Sequence, residues 1–189
     1  MSRINRTLKI LYLYTGIFTF AGNLLGPLYA LYVEGIQKGV LPICVSWAVF
    51  IMSSSIFTFF VSLVGDRVKR TENMLVIGIL IRGVVWFLYG VITTFPQLII
   101  LQIIFGLGDA LGSPAFDCLL SEHLDRGKRV LDYSSWRVVM DVALILSVLV
   151  GGFIVNTFGF KLLFTSMLLL SVISAVGICF GLPERPLQT

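Results

Sequence analysis

The sequence predicts an all-α membrane protein of six transmembrane helices forming one bundle, with both termini in the cytoplasm. Three observations predict the helices and their orientation. Hydrophobic residues make up 57% of the chain and charged residues 13%, with a mean hydropathy of +0.97; a water-soluble domain of this length needs a larger charged surface. Apolar runs recur at about 8–33, 41–64, 73–93, 97–118, 133–155 and 160–182, each long enough to cross about 30 Å of hydrocarbon at 1.5 Å per residue. Basic residues collect in alternate connections. Ten of them (Arg3, Arg6, Lys9, Arg67, Lys69, Arg70, Arg126, Lys128, Arg129 and Arg185) fall on one side, and Lys38 and Lys161 on the other. That bias puts the N-terminus inside, and an even number of spans returns the C-terminus there.

The first run is too long for a signal-peptide core and lacks an Ala-x-Ala-like exit, so it is a retained helix. It holds Asn23 with Gly22, Gly26 and Pro27 around it. Pro27 has no N–H, frees the acceptor at Asn23 and bends the helix. Asn23 then either lines a cavity or bonds a neighbouring helix. Stretches such as Leu98-Ile99-Ile100-Leu101 do not alternate, which excludes a β-barrel. The connections 34–40, 65–72, 94–96 and 156–159 are short; only Leu119 to Asp132 is longer, and it is rich in charge. Residues 1–189 are thus expected to form one six-helix bundle. Gly22 and Gly26, Gly108 and Gly112, and Gly177 and Gly181 are spaced for close helix packing.

Several function classes are excluded. Cys44, Cys118 and Cys179 are far apart and His123 is the sole histidine, so neither a disulfide scaffold nor a metal site is expected. The net charge of +4 resides mostly in short loops, where topology explains it, so nucleic acid is not an expected partner. There is no Walker stretch, no His-Glu-x-x-His and no Gly-x-Ser-x-Gly. Neither a cofactor nor an enzymatic activity is expected.

Charges inside a membrane are expensive and mark function or internal pairing. Arg82, Asp109 and Asp141 each lie well inside a run, roughly 12–15 Å from its cytoplasmic end, with Arg137 one turn before Asp141. Two readings are open. Asp109 and Asp141 line a substrate or proton pathway, or the charges form two neutralised pairs, Arg82 with Asp109 and Arg137 with Asp141. In the fourth run, Gln102, Asp109, Ser113 and Asp117 share a face about 80° wide, beside Gly108, Gly112 and Ala115. Such a polar stripe belongs to a cavity or to the bundle interior. Trp47, Trp86 and Trp136 are interface anchors or packing, with no ligand role.

The loop Ser62-Leu63-Val64-Gly65-Asp66-Arg67-Val68-Lys69-Arg70 resembles the G-x-L-x-D-R-x-G-R motif of the major facilitator superfamily, in the same place between helices 2 and 3. Asp66, Arg67 and Arg70 match its charged positions, while Ser62 and Lys69 replace its glycines. Gly106-Leu107-Gly108-Asp109-Ala110 with Ser113-Pro114-Ala115 is similar to that family's helix 4. Gly151-Gly152-Phe153 with Phe158 to Phe164 is similar to its helix 5–6 hairpin, and Pro183-Glu184-Arg185-Pro186 to its P-E-S-P-R segment. Gln102 stands where many proton-coupled members carry arginine. The antiporter motif of helix 5 keeps only Gly151 and Gly152 across Ala143 to Gly152, so drug–proton antiport is not supported.

The resemblance covers one six-helix half of a family whose usual member has twelve helices. It implies secondary transport of a small solute across the cytoplasmic membrane by alternating access, with proton coupling left open. Asn23, Arg82, Gln102, Asp109 and Asp141 are then candidates for the substrate or proton pathway. Asp66, Arg67 and Arg70 become a cytoplasmic gating cluster, with Arg129 and Glu184 as weaker members. A bundle of this kind needs a second one opposite its polar face. The expected partner is a second copy, forming a homodimer, or a separate six-helix half; the alternative is a fragment or a non-transporting accessory protein.

Overall fold

The structure, a computed structural model, describes residues 6–65, 71–123 and 129–181. Among these residues the regular structure is helical: α1 (Arg6–Asn23), a 3-10 turn (Gly26–Leu28), α2 (Tyr29–Ile36), α3 (Val40–Gly65), α4 (Thr71–Tyr89), α5 (Phe95–His123), α6 (Arg129–Phe158) and α7 (Phe160–Gly181). Six stretches are long and apolar enough to cross a membrane; α1 and α2 together make the first, and α3 to α7 the rest. Continuous helices satisfy their own backbone groups where no water is present to do so.

The first span breaks where its sequence says it should. The α-helix stops at Asn23, and Pro27 sits inside the 3-10 turn that follows. Elsewhere the ends are set by local chemistry. Gln97 Oε1 accepts from the backbone N–H groups of Thr93 and Thr94, a capping-box arrangement that starts α5 before its apolar stretch. Gly159, at φ +79°, makes the reversal between α6 and α7 by itself. The charged stretch from Leu119 to Asp132, expected as a long connection, is largely helix: α5 runs on to His123 and α6 already starts at Arg129. Charge excludes a segment from hydrocarbon but not from a helix, so both helices continue past the apolar run.

α4 lies between α5 and α7, α7 packs on α1, and α1 touches α5, giving a four-helix centre. α3 flanks it on α5, and α6 flanks it on α1 and α7. Leu24, Ile79, Leu163, Phe164, Met167 and Ile178 fill the interior at 1% exposure or less. Lipid is as apolar as these side chains, so close contact, not water exclusion, holds the helices together. Glycines supply that contact. A Cβ on Gly78 would lie 2.6 Å from the Gly108 carbonyl oxygen and the Gly112 nitrogen, so α4 and α5 cross backbone to backbone. Gly106 does the same for α3, at Ser53 and Ser54. Gly177 and Gly181 receive Tyr14 and Ile10 of α1. The flanking spans are far less covered: 11% of the apolar window of α6 and 17% of that of α3 is buried, against 39–44% in the others.

Candidate functional site

The glycine crossing of α4 and α5 places a charged pair near mid-membrane. Arg82 lies about 11 residues, or roughly 16 Å, after the start of α4, and Asp109 about 14 residues, or roughly 21 Å, after the start of α5. Arg82 Nη1 donates to Asp109 Oδ1 at 3.3 Å. Its Nε donates to the Gly78 carbonyl at 3.2 Å, and its guanidinium lies 4.4 Å from the centre of the Phe18 ring. The arm of Arg82 crosses α5 over Gly108 and Gly112; a Cβ on Gly108 would meet its Cγ at 2.9 Å, and one on Gly112 would strike its Nη2. The two glycines therefore serve the ion pair as well as the helix crossing.

Asp109 draws on three elements. Ser54 Oγ of α3 donates to its Oδ2 at 2.7 Å, and Ser113 Oγ, one turn along α5, donates to its Oδ1 at 2.8 Å. With Arg82 this gives the carboxylate three donors, the condition under which an ion survives away from water. Arg82 is 12% exposed and Asp109 26%, so the carboxylate is the accessible member of the pair. A proton or a cation reaching it competes with Arg82, and a freed guanidinium can hold an anion.

Gln102 belongs to a different assembly. It is 2% exposed, although it shares a helix face with Asp109. Its Nε2 donates to Tyr29 Oη, and its Oε1 accepts from Tyr89 Oη at 3.2 Å. Tyr29 Oη donates in turn to Ser46 Oγ at 2.8 Å, and Tyr32 Oη caps the end of α4 by donating to the Tyr89 carbonyl at 2.6 Å. This network ties the outer piece of the broken first span to the second, third and fourth spans. Tyr29, Tyr32, Tyr89 and Ser46 carried no sequence signal beyond residing in apolar runs. Of the two readings of Asn23, a bond to a neighbouring helix does not form among the described residues: its Nδ2 donates back to the Thr19 carbonyl of its own helix at 2.8 Å.

The second expected pair forms but stands apart. Arg137 Nε lies 3.4 Å from Asp141 Oδ1, one turn along α6, and the side chains are 71% and 53% exposed. They point outward from a span that is almost bare, while Asp109 pairs with Arg82 inside the bundle. Trp86 and Trp136 are buried, and Trp47 is half exposed. Asp66, Arg67, Arg70 and Glu184 lie outside the described residues; Arg129 opens α6, with its side chain outside them too.

Six apolar spans and an ion pair enclosed among α1, α3, α4 and α5 define a multi-pass membrane protein. Residues 11–189 match the family model of the Major Facilitator Superfamily, and the chain belongs to that family. No curated protein matches it.

Proposed function

We propose that this protein is a secondary transporter of the cytoplasmic membrane, moving a small solute by alternating access with the Asp109–Arg82 pair as its working centre. The observation that carries this reading is the quarter-exposed carboxylate of Asp109, held near mid-membrane by donors from three elements. Asn23 and Asp141 are outer members of the same pathway, Gln102 braces it, and Asp66, Arg67, Arg70, Arg129 and Glu184 close its cytoplasmic side.

Two six-helix bundles rocking about the pair would complete the mechanism. The bareness of α3 and α6 supports a second bundle, as does the exposed Arg137–Asp141 pair, which lipid would penalise. We take the second bundle to be another copy of this chain, related by a two-fold axis along the membrane normal. Cross-linking in mild detergent tests this: a homodimer is expected, and a monomer that still transports would contradict it.

A purely structural role for the ion pair is the competing reading, favoured by its neutrality. A thermal-shift screen over sugars, amino acids, organic acids and drugs identifies a solute that raises the melting temperature. Saturable flux of that solute in liposomes, abolished in a folded Asp109→Asn protein, supports transport; undiminished flux in that variant favours the structural role.

A further inference from the structure

Span 2 is joined to the ion pair by a hydrogen bond from α3 to Asp109. α3 contains no Asp, Glu, Lys or Arg, and its principal neighbour is α5, with a smaller contact to α2. Among the described residues two side-chain hydrogen bonds join it to other elements. Near its outer end Ser46 accepts from Tyr29, inside the network built on Gln102. Eight residues inward, roughly 12 Å along the helix, Ser54 donates to Asp109. The outer tie joins neutral groups that the buried network fixes. The inner tie ends on a carboxylate.

We propose that Ser54 is a positioning residue through which span 2 senses whether Asp109 is charged; this rests on the reading of the pair as the transport centre. While Asp109 is a carboxylate, the Ser54 bond is charge-assisted, about twice as strong as a neutral one, and it holds α3 on α5 at the Gly106 crossing. When a proton or a cationic solute takes the carboxylate, the bond weakens to the neutral kind. The outer tie stays, so α3 pivots near Ser46 and its cytoplasmic end moves. The other elements packed against α5 add no further charge at Asp109: α4 brings Arg82, and α1 brings the Phe18 ring that backs Arg82. Among the described residues the one charge balancing Asp109 is thus on α4, and the hydroxyl on α3 reports how that balance stands.

The arrangement makes a measurable lever. Leu63 lies about 17 residues from Ser46, roughly 25 Å, so a tilt of about 5° moves it by about 2 Å. Leu63 and Phe180 are exposed near the cytoplasmic ends of α3 and α7. Spin labels at these two positions, in protein whose three cysteines are replaced by alanine, report their separation by pulsed electron resonance in liposomes. Asp109→Asn imitates the neutral carboxyl and is expected to shift the distance by about 2 Å or broaden its distribution over a comparable range. Ser54→Ala should produce the same shift on its own, and adding Asp109→Asn to it should produce no more. Ser54→Thr keeps the hydroxyl and should restore both the original distance and its response to Asp109→Asn. Equal shifts from Asp109→Asn with and without the Ser54 hydroxyl would overturn the proposal, as would no shift in either. The readout needs no solute: absence of flux would remove the proposed function, whereas additive shifts in a protein that transports would remove only the role of Ser54.

Discussion

Replacing either member of the Arg82–Asp109 pair by leucine should destabilise the protein, and the two losses should be unequal. Breaking a buried pair by removing one partner costs about 3–5 kcal/mol, because the other charge is left uncompensated. Asp109→Leu belongs at the upper end of that range. Arg82 stays charged, and among the described residues it keeps the Gly78 carbonyl and the Phe18 ring. Ser54 also loses its acceptor. Arg82→Leu belongs lower, at about 2–3 kcal/mol, because Asp109 keeps two hydroxyl donors. The double leucine variant removes both charges, and its loss should fall well below the sum of the two, leaving a coupling of at least about 2 kcal/mol. Unfolding measured by denaturant titration in mild detergent gives all three values. Additive losses, or an Arg82→Leu variant less stable than Asp109→Leu, would refute this account of how the pair is held.

Other outcomes follow from the same contacts. Gly78→Ala forces a Cβ onto the backbone of α5 and should cost about 1–3 kcal/mol by overpacking, read in the same titration, because neither backbone can yield as a side chain would. Gln102→Leu strands the hydroxyl of Tyr89 and takes a donor from that of Tyr29, which still donates to Ser46; a buried group left unpaired costs about 1–3 kcal/mol, and the loss should fall when Tyr89→Phe is added. Cysteines at Arg3 and Arg126 should be labelled by an impermeant reagent only from the cytoplasmic side, and one at Thr94 only from outside; the reverse pattern would contradict the assigned orientation.

The six spans were legible because an apolar run of about 20 residues has one common use in a chain this poor in charge. The break at Pro27 was legible for a local reason, the missing N–H. The helix ends at His123 and Arg129 were not, since hydropathy marks where lipid stops and not where the helix does. Pairing of Arg82 with Asp109 could be anticipated from balance of charge at similar depth. The outward aspect of Asp141 could not: sequence counts depth along a helix, whereas packing against α1 and α7 decides which way the helix is turned. Ser54 carried no signal, being one of three consecutive serines whose roles differ only through the crossing at Gly106. Gln102 and Asp109 share a stripe, yet one is enclosed by tyrosines from other spans and the other is accessible, a difference that exists only in three dimensions.

Transport through the Asp109–Arg82 centre is tested most directly by solute flux into liposomes, with Asp109→Asn measured beside the unaltered protein at matched reconstitution and matched melting temperature. The account predicts saturable uptake of the solute found by thermal shift, and its loss in Asp109→Asn without loss of fold. Uptake that continues undiminished in a folded Asp109→Asn protein, or no saturable uptake of any stabilising solute by the unaltered protein, would contradict it.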